Sequence, residues 1–241
     1  MHTGGATRRV STVTLQRAVA YAAAVEPCTP PEFTMKRLPG VAVALLLAAL
    51  TLSGCATPSS SSSSSFNAGA GWITLIDGES GLQNWNRTGD GNWRAVKGAI
   101  QVDAKTNKDA AFLYSKNAYT DFELYVEFWA DEAANSGVFY RITNTTTINT
   151  KGGYEVQIFD KNPPYPTASL VNVAQAAPIP AFKAADKWNT FEITVRGARM
   201  IVRMNGEQAV DVYNSAFPTG PIGLQYNSGT VRFRKLMIRP L

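Results

Sequence analysis

The chain has 241 residues, 45% hydrophobic and 10% aromatic, enough for one sizeable domain with a real core plus accessory segments. Its formal net charge of +5 is unevenly spread: residues 1–54 carry five Lys/Arg against two acids, and the remainder is close to balanced. No basic cluster interleaved with aromatics stands out, which excludes nucleic acid as an expected partner.

Residues 1–34 precede a better start. Met35-Lys36-Arg37 leads into the apolar run Val41–Leu52 and then "LSGC" (Leu52–Cys55). A short basic start, an apolar core and small residues at the end make a secretory signal over 35–54, too short to span a bilayer as a stable helix. Its ending resembles a bacterial lipoprotein signal, in which the Cys is lipidated and becomes the first mature residue. Residues 1–34 would bury that signal far from the N-terminus, so they are expected to be an over-extended reading frame. On this reading Cys55 is the lipid anchor and Cys28 and His2 are lost. The folded part then has neither thiol nor imidazole, which rules out disulfides, thiolate catalysis and Cys-based metal sites. The mature protein would have no transmembrane helix.

Residues 55–70 comprise Cys55 and the polar run "ATPSSSSSSSFNAGA", which cannot bury a core. It predicts a flexible tether of roughly 20 Å end to end. Ala56 stands where an inner-membrane retention signal would carry Asp, so the expected location is the cell envelope, as an outer-membrane lipoprotein facing the periplasm.

From Gly71 to Leu241 short alternating runs dominate: 99–103, 111–115, 122–130, 137–142, 154–159, 190–197, 200–205, 222–226 and 231–239. Period-two patterning, β-branched and aromatic enrichment, and Gly, Asn and Asp between the runs predict antiparallel strands. Asn205-Gly206 between two such runs is a type I′ hairpin signal. No long amphipathic helix is predicted. The expected fold is all-β, a two-sheet antiparallel jelly-roll sandwich over 71–241.

Three runs carry unusual polar faces. In 122–130, Phe122, Leu124, Val126 and Phe128 share one face, and Glu123, Tyr125, Glu127 and Trp129 the other. Val138 and Tyr140 oppose Phe139 and Arg141, and in "GGYEVQIFD" Glu155 and Gln157 oppose Tyr154, Val156 and Ile158. Aromatics beside carboxylates, amides and a guanidinium suit a sugar, which needs flat apolar surfaces and convergent donors and acceptors. The same pattern also fits a solvated sheet face. Glu123 and Glu127 lie roughly 13 Å apart on a strand, beyond the roughly 5–9.5 Å used by two-carboxylate glycosidases. A cross-strand pair such as Glu127 with Glu155 could close that gap.

The motifs "GWITLIDGESGLQNWN" (71–86), "GNWRAVKGAI" (91–100), "DFELYVEFWADEAANSGVFYRI" (121–142), "GGYEVQIFD" (152–160), "DKWNTFEITVRGARMIVRMNG" (186–206) and "GPIGLQYNSGTVRFRKLMIRPL" (220–241) resemble, in order, the 3-keto-disaccharide hydrolase domain family. The resemblance implies a concanavalin A-like sandwich acting on glycosides oxidised to a ketone at C3, with a carbohydrate as the partner. A C3 ketone acidifies the C2 proton, so one base can drive elimination at C1 and water can then add. By the same resemblance Glu155 is the base or a metal ligand, and Arg141 holds or polarises the ketone. Glu127 is the second carboxylate; Asn135, Ser136, Gln157, Gln225, Tyr226 and Trp129 contact the substrate.

Simpler readings stand beside these. Asn135-Ser136-Gly137 is also a turn signal, Arg141 could pair with Glu127, and Trp85, Trp93 and Trp188 read as packing. Family members commonly carry a histidine just after the "GLQ" strand; here Tyr226 and Asn227 follow. Without it, the available ligands would suit Ca²⁺ or Mg²⁺ if any divalent cation binds. The rival to a hydrolase is a non-catalytic carbohydrate-binding lipoprotein of the same fold.

Overall fold

A computed structural model describes residues 69–177 and 182–241. The proposed signal, Cys55 and most of the serine-rich run therefore lie outside the described residues. Among the described residues the structure is strands and turns, with a single 3₁₀ turn at Leu82–Asn84 and no α-helix. None of their helices is long and apolar enough to cross a membrane.

Thirteen strands follow in order: β1 (Ile73–Asp77), β2 (Trp85–Thr88), β3 (Arg94–Val96), β4 (Ala99–Val102), β5 (Ala111–Tyr119), β6 (Phe122–Ala130), β7 (Asn135–Tyr140), β8 (Tyr154–Ile158), β9 (Trp188–Arg196), β10 (Arg199–Met204), β11 (Glu207–Tyr213), β12 (Gly220–Ser228) and β13 (Val231–Pro240). The larger sheet has the order β11-β10-β9-β6-β13-β4-β3, with β1 on the far half of β13; the smaller is β2-β5-β12-β7-β8. All the named pairings are antiparallel. Strands β1, β2 and β3 were absent from the alternating runs because they are short and have exposed positions where an alternating strand would be apolar.

Alternation determines what each sheet buries. The larger sheet sends Phe122, Leu124, Val126 and Phe128 of β6 inward, with Phe191, Ile193 and Val195 of β9 beside them. The smaller sheet answers with Val138 and Tyr140 of β7, Tyr154, Val156 and Ile158 of β8, and Leu224 and Tyr226 of β12. Trp85 and Trp93 are buried in this core, as expected of packing residues. Fully burying side chains of this size stabilises by about 1.5–3 kcal/mol each, so the face assignment is held strongly.

The Asn205-Gly206 turn forms where its sequence places it. Both residues have positive φ, at 53° and 83°, which is what a type I′ hairpin between β10 and β11 requires. The expected turn at Asn135-Ser136-Gly137 does not form. Those residues begin β7, and the chain turns earlier, at Asp131–Ala134, where Asp131 accepts from Ala133 N and Thr230 N.

Candidate active site

The outward face of the smaller sheet is unlike an ordinary solvated surface. Its antiparallel register aligns Gln157, Gly137, Gln225 and Phe112 across four strands, with Glu155, Phe139, Gly223 and Tyr114 in the next row. Gly137 is the centre of this arrangement. A Cβ there would lie 2.5 Å from Glu155 Oε1 and 2.9 Å from its Cγ, so the carboxylate lies over the gap that glycine leaves. Gln157 and Gln225 flank the same gap from the strands on either side.

These three side chains are buried or partly buried. Glu155 and Gln157 are 6% and 5% exposed. The Oε1 atoms of Gln157 and Gln225 are buried with no hydrogen-bond partner. Burial alone, with no offsetting cation or donor, pushes the Glu155 carboxyl up to about 8. Buried polar atoms in a folded protein are normally satisfied. Two unsatisfied amide oxygens on the strands either side of Gly137, with the desolvated Glu155 carboxyl over it, therefore mark a place built to receive polar groups from a ligand.

Two flanking segments complete the walls. Residues 168–171 run along the open edge of β8, pairing with the backbone of Glu155 and Gln157 at 2.9 Å. The β7–β8 loop folds back so that Ile142 and Ile148 pack with Phe139 and Phe112. Asn172 Nδ2 donates to Thr150 Oγ1 at 2.9 Å and ties the two segments together. Asn135 is half-buried on the same face, two residues before Gly137.

The structure thus brings together Glu155, Gln157, Gln225 and Asn135 and separates the other expected residues from them. Arg141 is the largest correction. β7 ends at Tyr140, and Arg141 adopts φ 52°, turning its side chain off the sheet face. Its guanidinium is 98% buried by residue, donating Nε and Nη2 to Thr120 O, Nη1 to Gly197 O and Phe217 O, and Nη2 to Asp121 Oδ1 at 3.0 Å. All five N–H groups are committed, leaving none for a ketone.

Glu127 and Trp129 lie on the outward face of the larger sheet, away from Glu155. Glu127 accepts from Tyr125 OH and from Arg234 Nε, at 2.7 and 2.6 Å, so neither a Glu127–Glu155 nor an Arg141–Glu127 pair forms. Trp129 lies beneath the Arg232 guanidinium at 4.8 Å, and Trp188 beneath Arg234 at 4.2 Å. The three polar faces read from the sequence are therefore two faces on opposite sheets. Ser136 and Tyr226 fall on the inward side by parity. Ser136 donates to Gln225 O, and the Tyr226 hydroxyl donates to Gly229 O at 3.0 Å, its pKa raised by burial.

Sequence reasoning missed Gly137 and Phe112. A glycine inside an otherwise alternating strand signals close approach by another group, and "NSGVFY" carried that signal before the turn reading displaced it. Gly137→Ala is expected to lower turnover at least tenfold while the melting temperature moves by only a few degrees, since small overpacking costs about 1–3 kcal/mol. Steady-state kinetics and a thermal melt on the same protein check this; unchanged turnover would show that Glu155 is not held over Gly137 for catalysis.

A Ca²⁺ site built from protein oxygens alone does not fit this face. The face offers one carboxylate and two amide oxygens, against the six to eight oxygens Ca²⁺ takes. Among the described residues no group of three or more His, Cys, Asp or Glu is placed to hold a metal.

The family model for the 3-keto-alpha-glucoside-1,2-lyase-like domain matches residues 71–239. The chain belongs to that family. The matched residues of this lyase-like domain run from just before β1 to the penultimate residue of β13, so both sheets and the Glu155 face lie inside it. No curated protein matches the chain. Among solved structures, the lyase-like domain is similar to a candidate glycosyl hydrolase of Parabacteroides distasonis ATCC 8503, with a TM-score of 0.57 and 22% identity over 70% of this chain and 99% of that one. A second candidate glycosyl hydrolase of the same organism has a TM-score of 0.53 at 17% identity, covering 71% and 89%. The VIP36 exoplasmic/lumenal domain, solved bound to Ca²⁺ and Man3GlcNAc, has a TM-score of 0.51 at 12% identity, covering 70% and 88%. At these identities the three establish the sandwich fold.

Proposed function

We propose that the protein hydrolyses glycosides carrying a ketone at C3, with Glu155 as the base. The observation that carries this reading is the buried carboxyl of Glu155 over Gly137, flanked by two buried amide oxygens without partners. Family membership supports the substrate class.

The ketone makes the C2 hydrogen acidic, and the Glu155 carboxylate removes it to give an enolate. Collapse of the enolate breaks the C1–oxygen bond and leaves a C1–C2 double bond conjugated with the ketone. The proton held by Glu155 is available to the departing oxygen. Water then adds at C1, a proton returns to C2, and the net change is hydrolysis. The Gln157 and Gln225 amides supply donors for the enolate oxygen and acceptors for hydroxyls. A carboxyl raised to about 8 matches this task, because a base works best when its pKa lies near the operating pH. One carboxylate suffices, so the isolation of Glu155 from Glu123 and Glu127 is consistent with the chemistry.

The rival reading, a non-catalytic carbohydrate-binding protein, is favoured by the placement of Tyr226. The residue beside the usual histidine position points into the core and supplies no second acid or base. Incubating the protein with a 3-keto-disaccharide, with and without chelator, separates the two. Release of 3-ketoglucose and the free second sugar is expected; saturable binding without product would sink the hydrolase reading. The chelator arm reads whether a divalent cation assists.

The domain is proposed to work in the bacterial envelope, tethered through Cys55, on the strength of the "LSGC" ending and the polar run after it. Radiolabelled palmitate should enter the wild-type protein and not Cys55→Ala; equal labelling of both would refute the anchor.

A further inference from the structure

The row of outward positions that begins at Gln157 does not stop at Gln225. It continues through Phe112 of β5 to Thr88 of β2. Beyond Gln225 it opens into a cavity of about 370 Å³, walled by the β4–β5 loop on one side and the β7–β8 loop on the other. That volume falls within the roughly 300–1,000 Å³ of small-molecule sites. Adjacent strands are about 4.8 Å apart, so Phe112 lies about 5 Å beyond Gln225 and about 14 Å from Gln157. One strand spacing is comparable to the length that one sugar residue adds to a chain.

We propose that this cavity is the subsite for the second, unoxidised pyranose of a 3-keto-disaccharide, the ring that departs from C1. The proposal rests on the reading that the Glu155 face takes the 3-keto ring. The lining has the two-sided character that a pyranose demands. Phe112 and Ile148 form an apolar base, and Phe112 is held edge-on to Phe139 at 5.4 Å. Above them, Thr88, Asn107, Asp109 and Thr147 form a polar rim that can take ring hydroxyls. An aromatic leaving group would find only the base complementary, and the polar rim would be desolvated without partners.

Both walls are set before a ligand arrives. Asp90 accepts from Thr106 N at 2.8 Å and Asn107 N at 2.9 Å, fixing the β4–β5 loop. Asn144 accepts from Thr146 N and Thr146 Oγ1, at 2.9 and 2.6 Å, fixing the β7–β8 loop. A pre-formed subsite spends less of its contact energy on ordering loops, so it should discriminate a disaccharide from a simple glycoside.

Calorimetry tests this with Glu155→Gln protein, which retains the face but lacks the base. The probes are 3-ketotrehalose, methyl 3-keto-α-glucoside and phenyl 3-keto-α-glucoside. The disaccharide should bind at least tenfold tighter than the methyl glycoside. Thr147→Trp, which fills the cavity, and Asp109→Ala, which removes a rim acceptor, should each cut that ratio at least threefold. A ratio near one in the parent protein, a ratio unmoved by both variants, or tighter binding of the phenyl glycoside than of the disaccharide would overturn the subsite. Because the readout is binding, a wild-type protein that binds the disaccharide selectively and releases no product would sink the hydrolase reading while upholding the subsite.

Discussion

Glu155→Gln is expected to abolish turnover and, above neutral pH, to make the protein more stable than the wild type. The two effects have one cause. Burial raises the Glu155 pKa from 4.5 to about 8, so between those values the folded protein binds a proton that the unfolded chain has released. Stability rises with pH only where the unfolded state binds more protons; here it binds fewer, so the wild type loses stability as pH climbs through this window. At about 1.4 kcal/mol per pKa unit the loss is on the order of 5 kcal/mol by pH 9. Glutamine has nothing to titrate. Other carboxylates are common to both proteins, so the difference between their stability curves isolates Glu155. Urea unfolding at pH 5, 7 and 9 should show a gap that is small at pH 5 and grows to several kcal/mol at pH 9. Parallel curves would mean that Glu155 is not held in a desolvated site. In the wild type kcat should rise with pH through about 8, as the carboxylate forms. Losing the base should cost at least the 10²–10⁴-fold typical of general base catalysis. A retained rate would remove Glu155 from the mechanism even if the stability result held.

Arg141→Ala should unfold or severely destabilise the protein, by about 3–5 kcal/mol, the cost of leaving a buried ionic network without one partner. Its guanidinium gathers the β5–β6 turn at Thr120 and Asp121, the β9–β10 turn at Gly197, and Phe217 before β12. Three segments of the chain lose their shared donor at once. A shift of the melting temperature on the order of 10 °C should follow for a domain of this size. Arg141→Lys should rescue little, because an ammonium cannot reproduce five donors in a planar fork. This outcome differs sharply from that of a ketone-binding arginine, whose replacement would lower kcat and leave the melt unchanged. A kinetic defect with a normal melt would restore the role that the sequence suggested.

The contrast between Glu155 and Arg141 shows what a sequence can and cannot specify in a sandwich. Parity along a strand is local, since successive side chains point to opposite faces. Once Tyr154, Val156 and Ile158 were read as core, Glu155 and Gln157 had to share the other face, and the burial of those apolar residues bears this out. The same logic placed Glu123, Tyr125, Glu127 and Trp129 together correctly. What parity does not carry is which sheet a strand joins. β6 lies between β9 and β13, whereas β8 lies at the edge of the other sheet beside β7. That assignment moved Glu127 and Trp129 to the opposite surface of the sandwich. Parity also fails where a strand ends: Arg141 is two residues from Phe139, but a left-handed backbone conformation after Tyr140 turns it away.

By itself, then, the sequence determined that this domain is an antiparallel all-β sandwich, which strand faces are apolar, and the family to which the ordered motifs belong. Those properties follow from alternation, turn chemistry and motif order, all of which are local or linear along the chain. Tertiary structure alone decided that Glu155, Gln157 and Gln225 meet over Gly137, that Arg141 is a clamp, and that a cavity opens beyond Phe112. Register and sheet membership join residues far apart along the chain, Gly137 with Gln225 and Ile73 with Ile238. They are settled by the packing of the whole core, which no short stretch of sequence contains.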